Sequence, residues 1–201
     1  PASYHRQNQG VPMTTQPAVN SADEVLRLIA KASEKNFLPI IGPYKGRILA
    51  EEVRKAKPQH VLEVGTLIGY SAILMGKELN EKAEIVTIEI HRDEAELAGK
   101  NIVRANILPK IKIITGDALQ VIPTLEGPFD FAFIDAEKSE YYQYLTLAED
   151  KLRKGAVVFA DNAGIFADQM SDYLAYVRSS GKYQSRYVQV GEDGVEISVK
   201  L

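Results

Sequence analysis

The stretch Glu63-Val-Gly65-Thr-Leu-Ile-Gly69-Tyr-Ser71 decides the fold. It follows a short apolar run at 60–65 (HVLEVG) and leads into residues 70–79, whose pattern is helical. A buried strand that ends at one glycine, turns, and opens a helix after a second is the start of a β–α unit. Gly65 and Gly69 permit a tight turn and close approach of the backbone to a ligand. The N–H groups at the helix start, with the Ser71 hydroxyl, suit a small anion such as a carboxylate. The glycine spacing is G-x-x-x-G, not the G-x-G-x-x-G of dinucleotide sites. Glu63, two residues before Gly65, would repel a pyrophosphate and would suit a ligand carrying an amino group and a positively charged sulfur. The weaker reading of these residues taken alone is an ordinary strand–helix turn with glycines for packing.

Working outward, the alternation repeats. Strands are expected at 84–90, 111–115, 129–135 and 156–161, with helices at 93–106, 118–125, 140–152 and 168–179. Two last strands, 183–191 and 195–200, flank a hairpin turn at 192–194 (Glu-Asp-Gly). Upstream, Ser21 and Glu24 fit a capping box for a helix ending near Asn36. An apolar loop at 37–43, broken by Pro39, Gly42 and Pro43, precedes a second helix at 44–57 that Pro58 stops. Five β–α units and a terminal hairpin predict a mostly parallel sheet with helices on both faces and one late antiparallel strand. Residues 1–19 lack periodicity and are rich in Gln, Pro and Thr, so a flexible N-terminal tail is expected, with 20–201 as a single domain.

Composition narrows the chemistry. The 201 residues are 45% hydrophobic and 25% charged, an ordinary globular balance. The absence of cysteine excludes disulfides, thiolate nucleophiles and Cys-ligated metals. His5, His60 and His91 are scattered and are assigned no role. A net charge of −3 gives no bulk attraction to nucleic acid or anionic membrane. No apolar run approaches the length of a membrane span and no signal pattern opens the chain, so a soluble cytoplasmic protein is expected.

In parallel sheets the ligand crevice lies outside the C-terminal strand ends. Glu89 ends the second strand, where a carboxylate can accept from both ribose hydroxyls or simply be solvated. Asp117, in Gly116-Asp-Ala118, could accept from an adenine amino group or cap the next helix. Together with E-x-G-x-x-x-G, these residues describe an S-adenosylmethionine (SAM) pocket. The joint pattern strongly resembles the class I methyltransferases, which implies a Rossmann-like, seven-stranded sheet in the order 3-2-1-4-5-7-6.

The fourth strand ends in Asp135, with Lys138 three residues on, and the fifth in Asp161-Asn162. Two carboxylates and an amide oxygen from neighbouring strands form a hard-oxygen set suited to Mg²⁺ or another divalent cation. Singly, each acid reads more readily as a loop or helix cap, and Lys138 as a solvated lysine. The strings VLEVGTLIGYS, FIDAEKSEYYQYL and FADNAG resemble the metal-dependent catechol and caffeoyl-coenzyme A O-methyltransferases, over about 38–201. That resemblance implies Asp135, Asp161 and Asn162 as metal ligands and Lys138 as general base. It implies Glu89 at the ribose, and Glu63, Gly65, Tyr70 and Ser71, with Ile41 nearby, around the methionine end. Asp117 and Ala118 would border the adenine, and Asp135 would face the cofactor as well as the metal. The implied acceptor is a small catechol-like molecule, and the resemblance is compatible with a monomer or a homodimer.

Departures from the family are visible too. Alignment puts Gln184 where the catechol enzymes carry a late carboxylate, and Ala136 and Glu137 stand where an aromatic follows the strand-four aspartate. Phe37, Leu38, Pro39, Ile165 and Phe166 could wall an aromatic acceptor or simply pack a loop. Methylation of a hydroxylated tRNA base is disfavoured by the acidic charge and the lack of a Lys/Arg run. A non-catalytic SAM-binding module stays open, whereas an NAD enzyme lacks its glycine spacing.

Overall fold

The computed structural model describes residues 21–201; the tail expected at 1–19 lies outside the described residues. The first helix, α1 (Ala22–Asn36), is capped as its sequence predicts: the Ser21 side chain accepts from the Glu24 N–H at 3.3 Å. Helix α2 (Gly42–Ala56) starts two residues before the expected 44. Pro43 sits in its first turn, where a missing N–H costs nothing, so the residue read as a breaker opens the helix instead.

The remaining elements alternate as expected: β1 (His60–Val64), α3 (Tyr70–Gly76), β2 (Glu84–Glu89), α4 (Arg92–Ala105), β3 (Lys110–Thr115) and α5 (Ala118–Val121). They continue with β4 (Phe129–Ile134), α6 (Tyr141–Ala148), β5 (Leu152–Ala160), α7 (Ser171–Ser179), β6 (Tyr183–Val190) and β7 (Asp193–Lys200). The seven strands form one sheet in the order β3-β2-β1-β4-β5-β7-β6. All pairings are parallel except those of β7, which runs antiparallel to both β5 and β6. This is the class I methyltransferase sheet that the resemblance implied.

The structure departs from these expectations in β5 and at the hairpin. Strand β5 begins at Leu152, because Leu152 pairs with Phe129 before a register shift brings Val157 opposite Phe131. The hairpin turn lies at Gly191-Glu192 rather than 192–194, since Val190 pairs with Asp193. A two-residue hairpin favours a positive φ at its first central position, which Gly191 supplies at 61°. Asp193 is therefore a strand residue.

Alternation along the strands divides the core into two layers. Val61, Ile85, Phe131, Phe133 and Phe159 face α1–α4, while Leu62, Ile88, Ala132, Ile134 and Val158 face α5–α7. Phe133 and Phe159 meet edge to face, with ring centroids 5.7 Å apart. Each such buried side chain contributes roughly 1.5–3 kcal/mol by leaving water. The central strands are thereby fixed in register, and their C-terminal ends form a rigid row.

Candidate functional site

The ladder determines that row. Val64 pairs with both Ile88 and Ile134, and Ile134 with Ala160. The next residue of each strand is Glu89, Gly65, Asp135 or Asp161, so β2, β1, β4 and β5 present these four side by side, about 4.8 Å per strand apart. Gly65 has φ 99°, and a Cβ there would lie 2.1 Å from the Asp135 carbonyl oxygen. Only glycine lets β1 turn against β4 at this point.

Glu63 lies beneath the turn. It is fully buried, and its carboxylate accepts from Ser71 Oγ and Thr87 Oγ1, each at 2.5 Å. Burial pushes its carboxyl up to about 7, against the pull of those two hydroxyls. Thr87 Oγ1 also shares a 2.6 Å hydrogen bond with Thr66 Oγ1. Ser71 is thus directed inward, and Glu63, Thr66 and Thr87 brace the loop from below.

Glu89 braces it from the side. One of its oxygens accepts from the Leu67 N–H at 2.7 Å and the other from the His91 N–H at 2.9 Å. Leu67 itself is held at φ 48°, a strained conformation for a γ-branched residue. Glu89, His91 and Glu94 have ligand atoms within 4.8 Å of one another, but the Glu89 oxygens are already committed to amides. Asp117 caps α5 by accepting from the Leu119 N–H at 2.9 Å, and Ala118 is buried behind it. Ile41 and Tyr70 are buried with the α1–α4 layer.

The fourth and fifth strand ends carry the charged groups. Lys138 Nζ donates to Asp135 Oδ1 at 2.8 Å and to the Tyr141 hydroxyl at 2.9 Å. That hydroxyl donates to the Asp161 carbonyl at 3.3 Å. Asp161 is buried, and burial, then the charge of Asp135, raise its carboxyl to about 6 against the pull of Lys45. Asp135, Asp161 and Asn162 each keep one side-chain oxygen that accepts no hydrogen bond among the described residues. Two carboxylates that repel each other, plus an amide oxygen, fit a hard divalent cation.

Two residues at this edge escaped the sequence. Lys45 Nζ bridges Asp161 Oδ1 at 2.6 Å and Asp193 Oδ2 at 2.8 Å. Burial alone would lower the Lys45 ammonium, but the two carboxylates hold it above its ordinary value. Burial would raise the Asp193 carboxyl, but Lys45, Asn162 and two amides hold it well below the carboxylate range. Lys45 lies in the first turn of α2, within the helix expected at 44–57, and nothing local marked either residue.

Gln184 is not at the site. It pairs with Val199, which pairs with Val157, whereas β5 reaches the site at Ala160, level with Glu196 and Tyr187. Because β6 runs in the same direction as β5, its start lies toward the opposite edge, and three residues put Gln184 about 10 Å away. The β6 residue at the site's level is Tyr187, whose ring occupies the space left by Gly164 and Gly194. Of the apolar group, Leu38 and Phe166 pack on the core, while Phe37 and Ile165 are 93% and 56% exposed. The Phe166 ring lies 6.0 Å from Lys138 Nζ.

Comparison with known proteins agrees with this architecture. The O-methyltransferase family profile matches residues 18–174. Catechol O-methyltransferase B of Danio rerio is 36% identical over 80% of this chain and 65% of its own length. The catechol O-methyltransferase of Niastella koreensis is 36% identical over 61% of this chain and 57% of its own. The matches thus span less than two thirds of both relatives. The O-methyltransferase TomG of Streptomyces achromogenes, solved in complex with SAM, superposes with a TM-score of 0.82 at 27% identity, covering 91% of this chain and 92% of that one. With this sheet order and this family match over most of its length, the chain belongs to the O-methyltransferase family.

Proposed function

We propose that this protein transfers the methyl group of SAM to a hydroxyl of a small catechol-like acceptor, with Lys138 as general base and Asp135, Asp161 and Asn162 holding a divalent cation, Mg²⁺ or a similar ion. One observation carries the reading: Lys138 and three side-chain oxygens that accept no hydrogen bond among the described residues lie on the same sheet edge as the Gly65 turn and Glu89. The SAM-bound relative TomG supports the methyl donor, and the catechol enzymes among the relatives support the acceptor class.

A catechol hydroxyl titrates near tyrosine, at about 10, and is a poor nucleophile at neutral pH. When bound, the cation would supply Lewis-acid stabilisation of the acceptor oxygen. Lys138 takes the hydroxyl proton as the oxygen attacks the methyl carbon; the C–S bond breaks and its electron pair stays on sulfur. Asp135 and Tyr141 fix Nζ in place, so the ammonium formed has a carboxylate partner 2.8 Å away. Glu89 accepts from the ribose hydroxyls while its two amide bonds hold it still. The rigid strand row positions both reactants, an effect worth up to about 7–11 kcal/mol in well-oriented reactions.

The test is methyl transfer from labelled SAM to caffeate. Turnover is expected with Mg²⁺, falling at least a hundredfold with EDTA and returning when Mg²⁺ is replaced. Turnover undiminished by chelator would overturn the metal set, and none on any catechol would overturn the acceptor class.

A further inference from the structure

An asparagine that offers its oxygen to a cation faces a problem of orientation. The two ends of a carboxamide have the same size and shape, so packing alone does not decide whether Oδ1 or Nδ2 points at the ion. The end that presents N–H repels a cation. At Asn162 the choice is made by a neighbour: Nδ2 donates to Asp193 Oδ2 at 2.9 Å. An ionised carboxylate has only acceptors, so the nitrogen must face it and Oδ1 must face away.

Asp193 is itself immobilised. Its Oδ1 accepts from the N–H groups of Gly164 at 3.1 Å and Ile165 at 3.0 Å. Its Oδ2 accepts from Lys45, 148 positions away in sequence, and the same ammonium grips Asp161. One lysine thus neutralises the repulsion between two buried or half-buried carboxylates and ties α2 to the C-terminal hairpin.

We propose that Asp193 is a positioning residue of the cation site, fixing the carboxamide of Asn162 so that its oxygen faces the ion, with Lys45 locking Asp193 to Asp161. This inference rests on the reading of Asp135, Asp161 and Asn162 as cation ligands. Partners that orient a ligand in this way commonly change metal affinity 10–100-fold when removed.

The test measures Mn²⁺ binding by the loss of its free-ion EPR signal, and S-adenosylhomocysteine binding by calorimetry without metal. Asp193→Asn is expected to weaken Mn²⁺ binding about 10–100-fold and to leave the nucleoside affinity within about twofold. The exchange of roles, Asn162→Asp with Asp193→Asn, restores a donor facing an acceptor and should recover at least tenfold over Asp193→Asn and bind more tightly than Asn162→Asp alone. Unchanged Mn²⁺ affinity in Asp193→Asn, a parallel loss of both ligands, or a double variant no better than the single ones would overturn the inference. A wild-type protein that binds no Mn²⁺ removes the cation site itself, and this inference with it. Should Asp193→Asn not fold, the wild-type carboxamide answers by NMR. Its Asn162 protons, assigned by their loss in Asn162→Ser, should exchange with solvent at least tenfold more slowly than those of exposed asparagines, and equal rates would overturn the claim.

Discussion

Glu63→Gln separates the cost of a buried acid from its use. The Glu63 carboxyl is fully buried and its pKa rises from an ordinary 4.5 to about 7. The folded protein therefore keeps this proton over a pH range in which the unfolded chain has released it. Below about 4.5 the group has no effect on stability; between 4.5 and about 7 it makes the fold progressively less stable as pH rises; above that the cost is constant. A shift of this size corresponds to about 3 kcal/mol. Glutamine has the same shape and no charge. Its carbonyl accepts from Ser71, and its amide can donate to Thr87, whose hydroxyl then donates to Thr66 through a bond either partner can donate. The variant should be more stable than wild type at pH 8 by up to about 3 kcal/mol, about 6–12 °C in Tm for a chain of this size. At pH 4.5 the two should coincide. Urea unfolding followed by circular dichroism from pH 4.5 to 8, without added SAM, reads the difference between the two proteins and cancels the other titrating groups. A variant with the same pH slope as wild type, or one less stable at pH 8, would refute the assignment of the cost to this carboxyl.

Lys138→Ala should lower kcat by about 10²–10⁴-fold, the usual contribution of a general base, while S-adenosylhomocysteine affinity by calorimetry changes less than about twofold. Loss of nucleoside binding instead would place this residue in the wrong role. Gly65→Ala forces a Cβ to within 2.1 Å of the Asp135 carbonyl at φ 99°, so it should cost more than about 3 kcal/mol in chemical denaturation. A variant within about 1 kcal/mol of wild type would show that β1 and β4 can part at this edge more easily than the packing implies.

The strands were legible because each central strand is a short apolar run ended by Gly, Glu or Asp, and a sheet buried on both faces needs little else; their order followed from the resemblance to the class I methyltransferases, not from the runs themselves. The strand-end acids were legible for the same reason, since Glu89 is the last residue of β2 and Asp135 and Asp161 sit one residue beyond the last ladder pair of β4 and β5. What failed was pairing across distance. The register of β6 on β7 depends on which glycine turns the hairpin, and choosing Gly194 over Gly191 hid Asp193; Gln184 was misplaced by aligning the segment without that register, which puts Tyr187 at the site's level. Gly194 serves another purpose: a Cβ there would meet the Tyr187 ring at 2.4 Å. The start of α2 was missed because a proline that stops one helix starts another just as well. Lys45 was invisible because its partners lie more than a hundred positions away, a relation no local pattern encodes.

The placement of β7 between β5 and β6 has a consequence for how the protein comes into being on the ribosome. Among the described strands, β6 pairs only with β7, so residues 183–190 have no place in the sheet until residues 193–200 follow them. Until then β5 shows a bare edge, and the amide nitrogen of Asn162 and one face of the Lys45 ammonium have no carboxylate to meet. A nascent chain halted at 192 can own every residue proposed to touch substrate and still lack the hairpin that holds them in order. Assembly of the working centre is in this way coupled to translation of the hairpin.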